Sequence, residues 1–360
     1  MALTSAADLT LQLSDQRRLV DFDTSDIQLQ QLITMLDEGQ ILVAPAYQRQ
    51  FRWGDARCSE LIESLLLGIP VPNLFMATNP DDNTWEVVDG LQRLCTVAKF
   101  MANDELLHRL NIQGRLTLTG LKKLTEFNMY SFNKLPSNIQ QHIRTRSLRV
   151  VTLNDKSSPV VRIDLFERLN TGGIILTPQE IRSAVFHGTF AEKLDELRDT
   201  QDFRTVVRLT EKQRIDGTAE ECVLRFFAFL EKYKLFEHSV GDFLNKYMQE
   251  SNIYFEYERL EPEFRNVFSQ LVHAFPEGIQ RPHRKGTTPL NLYEGVVVGA
   301  ALAIRERGSL VIDNLSAWMN TDTLRSYTTG ATNDRRRVEG RIEYCRDRFL
   351  GRPNVQALKE

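Results

Sequence analysis

Strand and helix signals are distributed unevenly along this 360-residue chain, and this asymmetry constrains the fold more than any other feature. Short apolar runs bounded by turn residues, such as 73–78 and 85–88 around the turn at 79–83, almost all precede residue 188. Beyond that point, apolar residues recur at helical spacing, as in 219–233. The sequence therefore predicts an α+β fold class. Its predicted parts are a flexible N-terminus at 1–22, a first domain at 23–190 and an all-helical domain at 191–360.

The first predicted helix has the clearest periodicity. Leu29, Leu32, Ile33 and Leu36 fall at i, i+3, i+4 and i+7, which is the spacing of one buried helix face. Thr24 or Ser25 precedes them as a predicted N-cap. A capping box at 177–180, with proline at the first helical position, predicts another helix start.

Composition excludes several protein classes. With 42% hydrophobic and 26% charged residues, the chain is typical of soluble globular proteins rather than of disordered or fibrous ones. Lys and Arg number 45 against 48 Asp and Glu, so the net charge of −3 excludes a positive field over the whole molecule but not a local basic patch. No apolar run is long enough to span a bilayer, and the four cysteines form no CxxC pair. We expect a cytoplasmic protein without a membrane partner, a zinc ribbon or a disulfide framework.

The segment at 85–93 is the most informative for chemistry. An apolar strand ends at Asp89, Gly90 permits a tight turn, and a helix begins within two residues, so that Gln92 and Arg93 lie in its first turn. The N-terminus of a helix favours an anion such as phosphate, to which Arg93 could add a charge-assisted contact. Asp89 could hold a metal ion or orient a water molecule. The simpler alternative is that Asp89 is only an N-cap and Arg93 a solvated side chain.

A second candidate segment, at 45–53, alternates cationic and aromatic side chains. Such a segment can stack on a base and clamp a phosphate. Alternatively, its aromatic rings pack at the edge of the core and its arginines extend to water. The candidate binding residues in it are Tyr47, Gln48, Arg49, Arg52 and Trp53.

A third candidate segment, at 166–173, ends in a Gly-Gly turn before the capping box. Such a turn lets backbone N–H groups approach a ligand closely, although a helix C-cap uses the same residue types. Its candidate binding residues are Arg168, Asn170, Thr171 and Gly172.

Taken together and in order, these blocks resemble the N-terminal module of GmrSD-type restriction proteins, which has a ParB/sulfiredoxin-like fold and a DGQQR signature. The resemblance covers about residues 25–190. It rests on YQR with a following tryptophan at 47–53, GIPVP at 68–72, VDGLQR at 88–93, and FERLNTG at 166–172 with Glu180.

The resemblance implies nucleotide binding and hydrolysis in defence against foreign or modified DNA. By position it implies Asp89, Gln92 and Arg93 as catalytic residues, with a nucleoside triphosphate as ligand and Mg²⁺ held at Asp89. Leu91 stands where the family usually has glutamine. If that glutamine positions a water molecule or a phosphate, hydrolysis here is slow or lost and only binding remains, so enzymatic activity is left open.

Many relatives carry an HNH-type nuclease in their second half, whereas this chain has only dispersed histidines and no Glu-x-Lys sequence. We therefore expect that the chain alone does not cut DNA and that a partner effector chain does. Oligomer formation is left open.

The stretch at 325–352 contains eight arginines and four acidic residues. Three consecutive arginines open its predicted helix, where the helix dipole disfavours cations, and contact with DNA phosphates would explain that placement. The alternative is a solvated cluster. The predicted DNA-binding residues are Arg335, Arg336, Arg337 and Arg341.

Three functional hypotheses remain open from the sequence. The chain is a nucleotide-binding regulatory module that senses DNA, a DNA-binding protein with a degenerate nucleotide pocket, or an assembly scaffold. An acid at Asp89 favours the first over the second, because a carboxylate repels phosphate unless a cation bridges the two.

Overall fold

The computed structural model describes residues 6–17, 21–43, 51, 53–79, 82–154, 159–169, 177–186, 188–281, 286–330 and 333–352. The chain divides into two compact units, Met1–Leu176 and Thr177–Glu360. The sequence predicted a boundary near residue 190, which would put the capping-box helix in the first domain. In the structure this helix belongs to the second unit. Contacts with that unit explain the placement, since Thr177 Oγ1 donates to the carbonyl oxygen of Asp216 at 2.6 Å.

The first unit combines one mixed sheet with helices. Its strands are β1 (Phe22–Gln28), β2 (Ile41–Leu42), β3 (Leu74–Thr78), β4 (Trp85–Asp89) and β5 (Ser147–Leu153). Its helices are α1 (Ala6–Arg17), α2 (Leu29–Asp37), α3 (Asp55–Leu67), α4 (Leu91–Met101), α5 (Asp104–Arg109), α6 (Ser137–Arg144) and α7 (Pro159–Leu169). The order of the strands is β1-β5-β3-β4-β2.

Four strand ends meet at one edge of this sheet. β5 runs parallel to β3, and both begin at this edge. β1 and β4 run antiparallel to them, so that Gln28 lies opposite Ser147 and Asp89 opposite Phe75. The predicted turn after Asp89 and the loop before β3 therefore both lie at this edge.

The predicted amphipathic helix is confirmed as α2, with Leu29, Leu32, Ile33 and Leu36 all buried. The predicted strands at 73–78 and 85–88 are confirmed as β3 and β4. The predicted N-cap is wrong, because Thr24 and Ser25 lie in β1 and pair with β5. β1 is an edge strand whose polar residues face outward, so it lacks the apolar alternation by which a strand is recognised.

Among its described residues, the second unit contains helices and no strands, as the sequence predicted. Its helices are α8 (Pro178–Val185), α9 (Thr189–Arg198), α10 (Gln201–Val206), α11 (Glu211–Ile215), α12 (Thr218–Lys232), α13 (Val240–Ile253), α14 (Tyr257–Ala274), α15 (Leu290–Arg307), α16 (Leu315–Met319), α17 (Asp322–Thr328) and α18 (Arg335–Phe349). None of the helices in the described part of the chain is long and apolar enough to cross a membrane.

Helix α15 is the centre of the second unit and packs closely on α18. A Cβ atom at Gly299 would lie only 2.7 Å from the backbone nitrogen of Arg346, so a larger residue would push the two helices apart. The valines and alanines of α15 are buried, and a cluster of phenylalanines fills the space between α12 and α14. The predicted α+β class with a helical second half is therefore confirmed.

Candidate functional site

The predicted strand–turn–helix at the end of β4 is confirmed. Gly90 follows Asp89, has a φ of +98° and serves as the N-cap of α4. A Cβ atom at this position would lie 2.4 Å from Leu74 Cδ2 and 3.0 Å from Arg93 Nη2. Both the left-handed backbone and the lack of space therefore require glycine.

Asp89 and Arg93 form an ion pair across this turn. Arg93 Nη2 donates to Asp89 Oδ2 at 2.7 Å, and the two side chains are 11% and 29% exposed. The simpler alternative from the sequence is wrong on both counts. Gly90 rather than Asp89 is the N-cap, and Arg93 is buried and paired rather than solvated.

Gln92 connects this turn to the second candidate segment. Its Oε1 accepts a hydrogen bond from the backbone nitrogen of Trp53 at 3.2 Å, so the structure brings together two segments 39 residues apart. The guanidinium carbon of Arg57 lies 4.5 Å from the centroid of the Trp53 ring. The other candidates of that segment, Tyr47, Gln48, Arg49 and Arg52, lie outside the described residues.

The same hydrogen bond brings the residue before the N-cap of α3 to the first turn of α4. Helix α3 begins after Gly54 and α4 after Gly90, and neither N-cap provides a side-chain hydrogen bond. Lys99 Nζ lies 2.6 Å from Asp55 Oδ1 and thereby joins α4 to the first turn of α3. The positive end of the α4 dipole therefore lies at the Asp89–Arg93 turn, an arrangement that favours an oxyanion.

Asp89 fits a magnesium ion only as one member of a shared site. The described residues contain no group of three or more His, Cys, Asp or Glu side chains that could hold a metal ion. Mg²⁺ commonly takes one or two protein carboxylates and completes its shell with water and substrate phosphates. A part-exposed carboxylate such as that of Asp89 suits this mode of binding.

The third candidate segment is described only in part. Arg168, on α7, pairs with Asp164 at 2.8 Å on the surface, where its side chain is 74% exposed. The residues Asn170, Thr171 and Gly172 lie outside the described residues.

The predicted DNA-binding arginines of α18 separate into two environments. Arg335 and Arg336 are exposed and Arg337 is half-buried, all in the first turn of the helix, whose N-cap is Asp334. Arg341 is fully buried and pairs with the buried carboxylate of Glu294. Including Arg341 in a DNA surface was wrong, because a phosphate cannot reach it.

Arg341 belongs to a buried ionic network that the sequence reasoning missed. Glu294 also accepts from Arg225, which pairs with Glu221, which in turn pairs with Arg182. The spacing of Glu221 and Arg225 at i and i+4 was the only local signal, and it is common on exposed helix faces. The partners on other helices are distant in sequence.

Comparison with known protein families supports the resemblance seen in the sequence. Residues 29–187 match the family model described as GmrSD restriction endonuclease, N-terminal domain. The match contains all the motif blocks on which the resemblance rests, including the Asp89–Arg93 turn. No curated protein matches the chain at a significant level.

Proposed function

Because residues 29–187 belong to the GmrSD restriction endonuclease N-terminal domain family, we propose that this chain is a nucleotide-binding component of a restriction or antiviral defence system. In this proposal the first unit binds a nucleoside triphosphate, the chain senses DNA, and a partner effector chain does the cutting. The observation that carries the proposal is the Asp89–Gly90–Arg93 turn at the N-terminus of α4, where the N-cap provides no side-chain hydrogen bond.

Each group at the turn has a defined role in this proposal. Backbone N–H groups in the first turn of α4 donate to phosphate oxygens, and Arg93 adds a charge-assisted hydrogen bond. Asp89 would hold Mg²⁺, which would offset the negative charge of the phosphates. Gln92 holds the Trp53 backbone in place through its hydrogen bond. Leu91 offers no polar group to orient a water molecule, so the proposal is for nucleotide binding and leaves hydrolysis open.

The same turn favours nucleotide binding over the alternative, which is a DNA-binding protein with a degenerate nucleotide pocket. Binding of a DNA phosphate would need only the guanidinium of Arg93, whereas a nucleotide with Mg²⁺ would also use the part-exposed carboxylate of Asp89. A scaffold role would require neither an aspartate nor a buried arginine at this turn.

Isothermal titration calorimetry of the full chain with ATP, GTP, CTP and UTP, each with and without Mg²⁺, tests the proposal. We expect heat with at least one nucleotide and about 1–3 kcal/mol weaker binding for Arg93→Ala, because a charge-assisted hydrogen bond is lost. Arg109→Ala is the matched control, since it also breaks an arginine–aspartate pair in the first unit, with Asp37. Absence of heat with all four nucleotides, or equal losses in the two variants, would contradict the proposal.

A further inference from the structure

A polar cavity of about 550 Å³ lies in the first unit, next to the C-terminal end of α3. Its wall is formed by the loop from Gly68 to Asn73, by residues 145–149 at the start of β5, and by Asp26 of β1. Neither Asp89 nor Arg93 lines it. The volume falls within the range of about 300–1,000 Å³ that is common for small-molecule sites.

Arg146 is held in the wall of this cavity by rigid neighbours. Its backbone nitrogen donates to the carbonyl oxygen of Ile143 at 3.1 Å, and its own carbonyl oxygen accepts from Leu29 at 2.8 Å. Its guanidinium lies over Gly68, where a Cβ atom would be only 3.2 Å from Nη2. Gly68 ends α3 with a φ of +73°, and the hydrogen bond from Ile69 to Ser64 fixes this turn. The charged group is therefore placed before any ligand arrives.

The wall of the cavity carries one uncompensated positive charge. Asp26 and Arg149 neutralise each other through two hydrogen bonds of 3.0 and 3.1 Å. Arg146 forms no ion pair with any described residue, and its buried Nε has no hydrogen-bond partner among them. An unpaired guanidinium in a polar cavity is the group that recognises carboxylates and phosphates.

A purely structural role accounts for little of this arrangement. Arginine side chains can cap the last carbonyls of a helix, and Arg146 Nη2 lies 3.4 Å from the carbonyl oxygen of Leu66 in α3. His142 Nε2 is closer to that oxygen, at 3.1 Å, and one ring nitrogen cannot both donate to Leu66 and accept from Arg146. Most donors of the guanidinium are therefore left for another acceptor.

We propose that this cavity is an oxyanion-binding site in which Arg146 receives the phosphate or carboxylate group of a small ligand. Asn73 and Ser147 contribute neutral polar groups to the same wall. This site goes beyond the proposed nucleotide site and does not depend on it.

Ligand-induced rise in Tm and calorimetry of the full chain test the proposal, with inorganic phosphate, pyrophosphate and succinate as separate probes. Phosphate and pyrophosphate report a phosphate-bearing ligand, whereas succinate reports a carboxylate. Arg146→Gln removes the charge, and Asn73→Phe fills the cavity while keeping the arginine. Arg109→Gln is the control, and Arg93→Ala separates this site from the proposed nucleotide site.

We expect at least one probe to bind the wild-type chain and to bind at least about tenfold more weakly to Arg146→Gln and Asn73→Phe. Arg109→Gln should bind that probe as the wild type does. If no probe binds, or if Arg146→Gln lowers the Tm without reducing the ligand-induced rise, the site does not exist. Loss of probe binding in Arg93→Ala alone would likewise overturn it. Failure of nucleotide binding with intact probe binding would contradict only the proposed function.

Discussion

Gly90 is the residue on which the strand-to-helix turn of the candidate site depends. Its left-handed backbone lets β4 turn directly into α4, and its lack of a side chain leaves space for Leu74 and for the guanidinium of Arg93. Any other residue would displace one of these neighbours. The position of the Asp89–Arg93 pair is therefore set by a single residue.

Gly90→Ala should destabilise the fold by about 2 kcal/mol or more, because a left-handed conformation costs an alanine about 1–2 kcal/mol and the added methyl group contacts Leu74. Gly54→Ala is the matched control, since Gly54 is also a helix N-cap but has a φ of −69° and open space around it. We expect it to cost less than about 1 kcal/mol. Urea unfolding followed by circular dichroism measures both free energies of unfolding. Equal losses would show that the turn tolerates a side chain.

The residues of this turn could be predicted from the sequence because a local rule places them. A strand, an Asp-Gly pair and a helix start are neighbours in the chain, so Gln92 and Arg93 necessarily fall in the first helical turn. The hydrogen bond between Gln92 and Trp53 spans 39 residues and has no local signal. For the same reason Arg341 was misassigned, since its partner Glu294 lies 47 residues away.

At the scale of elements, the second unit is held together by buried charge as well as by apolar packing. Glu294 of α15 accepts from Arg225 of α12 and Arg341 of α18, so that one carboxylate joins three helices. Burial alone would raise the pKa of Glu221, but its ion pairs with Arg225 and Arg182 outweigh burial and hold that pKa below its ordinary value. Glu221 is therefore charged at neutral pH.

Glu294→Gln should cost about 3–5 kcal/mol of stability, because it removes the buried carboxylate that pairs with Arg341 and leaves Arg225 with Glu221 alone. Glu306→Gln is the matched control. It removes a carboxylate of the same helix that pairs with Arg352 at the surface, where both side chains are close to half exposed. Surface pairs contribute about 0–1 kcal/mol, so the control should change little. Urea unfolding at neutral pH gives both values, and a small loss in Glu294→Gln would mean that the helices tolerate the uncompensated charges.

The elements that the sequence predicted least well are those without an apolar pattern. β1 is recognised in the structure by its pairing with β5, not by its own residues, which are mostly exposed. Helices with a continuous buried face, such as α2 and α18, were predicted because burial leaves a periodic trace in the sequence.

At the scale of the whole molecule, the positive charge at the start of α18 is opposite in sign to the net charge of the chain. The chain has a net charge of −3, yet Arg335, Arg336 and Arg337 open α18 together, where the helix dipole disfavours cations. Arg335 and Arg337 pair with Glu339 and Asp334 on their own helix. A polyanion would have to compete with these weak surface pairs, which salt also screens.

If these three arginines contact DNA phosphates, the logarithm of the DNA-binding constant should fall by about 0.9 for each phosphate per tenfold increase in salt. Replacing all three with glutamine should flatten that slope by up to about 2.7 and leave nucleotide affinity intact. The helix should still fold, because its apolar face of Val338, Ile342, Cys345 and Phe349 is buried without them. Fluorescence anisotropy with labelled duplex DNA over a salt series measures the slope.

The matched control for this experiment is the triple change Arg204→Gln, Arg259→Gln and Arg265→Gln. It removes the same charge from three arginines of the second unit that are also about half exposed and paired with acids. An equal flattening in both triple variants would show that only net charge matters, because a long-range field does not depend on which arginines supply it. An unchanged slope in the α18 variant would leave the arginines as a solvated cluster. Loss of nucleotide affinity would instead assign them to nucleotide binding, so each result distinguishes one role of α18 from the others.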